Sequence, residues 1–138
     1  MRLTKSTARR SGAALVEAAI VIPVILSLLY GIICGALMVL TVDEVETATR
    51  EAARYASVRG SSYAFNSGQP AATAADIAQY AKAQGVTLDV SQITCNVSWD
   101  KSNRPGNYVT VEVRYQWSGL GPFGAQEFVG RSTMLVSY

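Results

Sequence analysis

Hydrophobic and polar positions divide the chain into three parts. Between Ala18 and Val42 no charge interrupts 25 positions rich in Ile, Leu and Val, about 37 Å of helix at roughly 1.5 Å per residue. A hydrocarbon core is about 30 Å thick, so this run can cross it with some tilt. The alternative is a helix buried in a soluble core, but fewer than 100 residues follow, too few to cover every face. Beyond Val42 the pattern turns amphipathic without a helix-breaking residue. In "VDEVETATREAARYASVRG" Ala48, Ala52, Ala53 and Ala56 form a small-residue side. Glu46 stands four residues before Arg50, and Glu51 three before Arg54, spacings that place opposite charges on neighbouring turns. The spacing predicts a membrane helix extended into a stalk.

The third part is a small head. "RGSSYAFNSGQP" reads as a loop on its Gly, Ser, Asn and Pro content. A helix is predicted over about 72–84, where Thr73 and Asp76 resemble a capping box, Ala74, Ile77, Ala78 and Ala81 share a face, and Gly85 closes the end. Alternation then changes to period two. Cys95, Val97 and Trp99 face one way in "TCNVSW", and Val109, Val111, Val113, Tyr115 and Trp117 do so in "YVTVEVRYQW". The turn-rich "DKSNRPGN" between them suits an antiparallel pair. "FVGRSTMLVSY" supplies a third strand with Met134, Val136 and Tyr138 on one side. A three-stranded antiparallel sheet against helices gives an α+β head, with Glu112 and Arg114 expected on the wet face.

Charge adds a direction. The net charge is only +2, but Arg2, Lys5, Arg9 and Arg10 precede the first acid, and from Ala13 onward 8 basic side chains face 10 acidic ones. Basic residues before the span, and Asp43, Glu44 and Glu46 after it, keep the N-terminus cytoplasmic and send the head across. A cleaved secretory signal does not fit, because the apolar run is too long and lacks an A-x-A-like end. Ile33 before Cys34 argues against a lipoprotein signal. A folded part without basic excess argues against nucleic-acid binding.

The sequence has no histidine, and its two cysteines, Cys34 and Cys95, lie far apart, one inside the apolar run and one outside. Histidine-based catalysis and the commonest metal ligand are therefore absent. No nucleophile with a base and no ligand spacing can be named, so no enzyme activity, metal or cofactor is expected.

One acid remains to be explained. Glu17 stands where the chain enters lipid, and a carboxylate at the centre of a membrane helix costs on the order of 3 kcal/mol, less near an end. It follows Gly12, Ala13, Ala14, Leu15 and Val16. Gly12 obstructs a protease least, and a glycine before a helix can also be only a break at its N-terminal end. A cut after it gives Ala13 a free amine, of reference pKa about 8, one turn from Glu17. The alternative is an acid in the interfacial zone that only reaches back to water; on the first reading the two charges can neutralise each other within a chain or between adjacent chains, which makes Glu17 a register mark. Deeper in, Pro23 removes one helix hydrogen bond, and Gly31 and Gly35 form a G-x-x-x-G spacing that lets helix backbones approach.

Basic residues, Gly12, a fifth-position Glu17, a long apolar helix containing Pro23, and the "ATREAARYASVRG" stretch together resemble the TadE-like pseudopilins of the tight-adherence (Flp/Tad) pilus system, within the type IV pilin-like proteins. The likeness covers about the first 60 residues. It implies a minor pilin or pseudopilin acting in pilus assembly, cleaved by a prepilin peptidase between Gly12 and Ala13, with Glu17 in subunit docking; Ala13 as the partner of Glu17 in docking, and Pro23, Gly31 and Gly35 as helix-packing positions, are expected from the residues themselves. Its implied partners are that peptidase, other pilin subunits, the inner-membrane assembly platform and the lipid bilayer. On this reading residues 1–12 are a leader, 13–59 the membrane helix with its extracytoplasmic extension, and 60–138 a periplasmic head. The competing reading is an uncleaved signal anchor that displays a periplasmic binding module.

Overall fold

A computed structural model describes residues 7–85, 87–119 and 123–137. Arg2, Lys5 and the expected place of Tyr138 on the third strand lie outside the described residues. The elements run α1 (Thr7–Val58), α2 (Ser61–Ser67), α3 (Ala74–Gln84), a 3-10 turn (Val90–Gln92), β1 (Ile93–Trp99), β2 (Tyr108–Trp117) and β3 (Gln126–Leu135). Contacts divide the chain into two units between Met38 and Val39.

The first unit contains the apolar part of α1. Helix continues through Pro23, and the Ser27 hydroxyl donates to the Pro23 carbonyl at 2.7 Å. Leu15, Ile20, Val24, Leu28 and Ile32 all turn more than half of their surface outward. Only 6% of the most apolar window of this helix is buried, which removes the reading as a soluble core helix. The helix is long and apolar enough to cross a membrane.

The second unit is an antiparallel sheet in the order β1-β2-β3, packed on the remainder of α1 and on α3. The expected small-residue side of α1 is its buried side: Ala48, Ala52, Ala53 and Ala56 are at most 2% exposed. Ala52, Ala53 and Ala56 belong to one core cluster with the fully buried Val109, Val111 and Val113 row of β2. Small helix residues let a flat valine row come close, and dispersion contacts accumulate over the whole interface. The capping box forms at the start of α3, where the Thr73 hydroxyl accepts from the Asp76 amide and the Asp76 carboxylate accepts from the Thr73 amide at 2.9 Å. That helix inserts Ile77 and Ala81 into the core.

The structure differs from the expected head in two places. "RGSSYAFNSGQP" is not all loop: Ser61–Ser67 form α2, closed by Gly68 in the left-handed region at φ 69°. The Ser61 amide donates to the Asn103 carbonyl at 2.9 Å, a tertiary bond that local composition does not report. Glu112, expected to be wet, is buried at 8% exposure. It is enclosed by guanidinium groups from its own strand and the next, and the burial is tolerated because both carboxylate oxygens are bonded.

Candidate assembly segment

The site residues expected from sequence all lie on α1. Helix already runs through Gly12 and begins before it, at Thr7, so Gly12 is not a helix boundary. A Cβ at Gly12 would meet nothing within 4 Å, and the residues from Gly12 to Glu17 are exposed. One helical turn, about 6 Å along the axis, separates Ala13 from Glu17. Glu17 has no hydrogen-bond or ion-pair partner among the described residues. Gly31 and Gly35 likewise have open space where a Cβ would stand. The backbone there is bare on a helix otherwise coated with large apolar side chains.

In the second unit α1 divides its residues between packing and display. Glu46 and Arg50 close their expected pair at 2.7 Å, whereas Glu51 and Arg54 form no ion pair among the described residues. The Glu44 carboxylate accepts from the Thr87 hydroxyl at 2.7 Å and from the Thr87 amide at 3.3 Å, fastening α1 to the segment after α3.

An aromatic brace went unforeseen in the sequence. Tyr55 stacks on Tyr80 of α3 with ring centroids 4.4 Å apart and 15° between planes. The Arg59 guanidinium lies 4.6 Å from the Tyr55 centroid and 5.4 Å from that of Tyr63, and donates to the Tyr55 hydroxyl at 3.0 Å. One cation thus bridges α1 and α2 while one ring bridges α1 and α3. The signal available in sequence is the i, i+4 spacing of Tyr55 and Arg59 across the end of α1, without any hint of Tyr80.

The outer face of the sheet carries the main charge cluster. Glu112 accepts from the Arg114 Nε at 2.7 Å and from the Arg131 Nε at 3.0 Å, and Arg131 also makes a second, shorter contact to the same carboxylate. Arg114 reaches Glu127 at 3.8 Å. These bonds, Arg131 first and Arg114 next, hold the Glu112 carboxyl below the usual glutamate range, and Glu112 raises Arg114 in return. Between α1 and β3 a cleft of about 260 Å³ is lined by Glu46, Thr49, Arg50, Val129, Gly130 and Arg131. Its one hydroxyl, on Thr49, donates to the Val45 carbonyl at 2.6 Å. Cys34 and Cys95 are both free thiols, and burial pushes the Cys95 thiol up, away from the reactive thiolate.

Residues 12–54 match the model of the TadE-like protein family. The match begins at Gly12 and ends at Arg54, so the sheet, α2 and α3 lie outside it. No curated protein and no solved structure matches the chain.

Proposed function

We propose that this chain, TadE-like over residues 12–54, is a pseudopilin of a Tad-type pilus, cut by a prepilin peptidase after Gly12 and docked to other subunits through Ala13 and Glu17. The observation that carries this reading is the family match over a helix that turns its apolar surface outward from Leu15 to Leu40. Lipid covers that surface before assembly, and packed helices of other subunits cover it afterwards. The proposed division is a leader over 1–12, a membrane helix and extension over 13–59, and a periplasmic head over 60–138. The N-terminus stays cytoplasmic in the inner membrane. The partners are the peptidase, other pilin subunits, the assembly platform and the bilayer.

Cleavage changes the electrostatics of the helix end. A helix N-terminus already carries about half a positive charge from its aligned peptide dipoles, and trimming adds the Ala13 ammonium to it. Glu17, exposed and without a partner among the described residues, is the acid within reach. A neighbour's Glu17 beside that ammonium removes an isolated charge from an apolar bundle, and a misplaced neighbour leaves two. Pro23, Gly31 and Gly35 shape the packing surface above this contact.

N-terminal mass analysis of the protein from its native membrane tests the reading. A mature chain beginning AALVE is expected, and Gly12→Leu blocks its appearance. Glu17→Leu still inserts but loses co-purification with pilin subunits. An intact leader in the wild-type protein favours the signal-anchor reading instead.

A further inference from the structure

The sheet ends in two strands that each have a neighbour on one side only. Among the described residues β1 and β3 both pair with β2 alone. One edge of each therefore turns backbone N–H and C=O groups outward, the arrangement that takes up a further strand. Both run antiparallel to β2, hence in the same direction, and they stand level. Ile93 and Phe128 both pair with Tyr115, Cys95 and Gly130 with Val113, and Trp99 and Met134 with Val109. β3 also advances along α1, because Gly130 lies against Val45 and Thr49 while the Ser137 amide donates to the Ser57 carbonyl at 2.8 Å.

The two edges complement each other. The cleft between α1 and β3 touches Val129, Gly130 and Arg131 in succession. Successive strand residues point to opposite faces, so a space touching all three opens along the strand edge. On its α1 wall Glu46 bonds Arg50 through Oε2 only, and Oε1 has no partner among the described residues. At the other edge Cys95, Val97 and Trp99 are only partly buried against the core. Lys82 of α3 acts on the Cys95 thiol and has no ion-pair partner among the described residues.

We infer that a second copy of this chain adds its β1 to the free edge of β3, parallel and level, so that the sheets of neighbouring copies become continuous. The inference rests on the pseudopilin reading, which brings copies out of one membrane in the same sense. That sense selects the pairing. Antiparallel joining of β3 to β3, or of β1 to β1, turns one copy and its stretch of α1 end over end. Parallel joining of like edges reverses the faces, and sets the apolar row of one copy beside the polar row of the other. β3 to β1 avoids both faults and needs no displacement along the strands. Phe128 then meets Ile93 of the neighbour, Met134 meets Trp99, and the small Cys95 enters the cleft beside Gly130. On the opposite face β1 offers only Thr94, Asn96 and Ser98, so Glu127 and Arg131 keep their partners on β2. The neighbour's Lys82 comes to the free oxygen of Glu46, which then lies between two cations.

Disulfide trapping in the full-length protein, in its native membrane, reads the pairing directly. Ser98 and Thr133 are both exposed and both stand opposite Thr110. Ser98→Cys and Thr133→Cys are placed on separately tagged copies in a Cys34→Ala, Cys95→Ala background, co-expressed and oxidised. Neighbouring strands lie about 4.8 Å apart, inside the Cα separation of about 7 Å that a disulfide tolerates, so the mixed dimer is the expected dominant product. Charge exchange gives a second measurement. K82E or E46K alone slows mixed cross-linking by up to about fivefold, and copies carrying both changes recover it. Predominance of S98C–S98C or T133C–T133C dimers overturns the pairing, and capture of T133C by a different pilin subunit alone overturns the second copy as occupant. Absence of any cross-link, with the chain still cleaved at Ala13 and still co-purifying with pilin subunits, overturns docking at this edge and leaves the pseudopilin reading standing. An intact leader on the wild-type protein removes that reading, and this inference with it.

Discussion

Thr49 of α1 lies directly against Gly130 of β3: a Cβ built on the glycine would overlap the threonine hydroxyl and come within 3.1 Å of the Val45 carbonyl. The hydroxyl cannot simply turn away, because it donates to that carbonyl at 2.6 Å. Gly130 is paired with Val113 of the central strand, so the helix, the edge strand and the sheet centre are fixed at one contact. Gly130→Ala is expected to destabilise the head by about 1–3 kcal/mol, as overpacked cores do, and Gly130→Val by more. Thr49→Ala in the Gly130→Ala background recovers part of the loss. Thermal unfolding of the detergent-solubilised chain, followed through the buried Trp117, checks all three.

Glu112 gives a pH dependence with a definite sign. Its bonds to Arg131 and Arg114 depress the folded carboxyl below its unfolded value, so its stabilisation is fully present above the ordinary glutamate range and is lost as pH falls through the folded value. Acid therefore lowers the melting temperature progressively, and Glu112→Gln flattens that part of the curve while lowering stability at neutral pH. A Glu112→Gln protein with an unchanged acid limb would show that other carboxylates dominate.

The elements that sequence predicts best are those whose pattern and packing agree. The alanine side of α1, the valine row of β2 and the Thr73–Asp76 cap follow local rules, and tertiary structure confirms each of them. Glu112 was misplaced because alternation gives the face of the sheet but not the long side chains that cover it. From strand register, Arg131 stands opposite Glu112, yet that register depends on how the long connection before β3 returns. α2 was hidden because its serines and glycines have turn composition, and its support comes from Asn103 and Arg59, distant in sequence or contributed through a ring. At the candidate site the situation is reversed. Gly12, Ala13 and Glu17 are legible as a motif, while the described residues offer Glu17 no partner, since its proposed partner is created by cleavage and supplied in assembly.

The capping box at Thr73 makes a separable contribution. Thr73 accepts from Asp76, and hydrogen bonds from the Thr73 amide and hydroxyl hold the Asp76 carboxyl below its usual range. Thr73→Ala removes the side-chain half of the box and is expected to cost about 1 kcal/mol. Thr73→Ser keeps the oxygen and should stay close to wild type. Amide exchange across 74–84 reads the effect locally: faster exchange at the first turn of α3 in Thr73→Ala alone is the expected result.

Gly31 and Gly35 separate a role within the chain from one between chains. Neither glycine has any atom within 4 Å of where its Cβ would stand, and glycine in a helix interior is less favourable than alanine by about 1 kcal/mol. Within one chain, then, Gly31→Ala or Gly35→Ala costs nothing and favours the helix. Between chains the same methyl groups hold two helix backbones apart, and leucine does so more strongly. Gly31→Leu with Gly35→Leu is expected to leave the melting of the head unchanged while reducing co-purification with pilin subunits from native membrane. Equal recovery of those subunits with the double variant would show that the bare strip faces lipid and that assembly packs another side of α1.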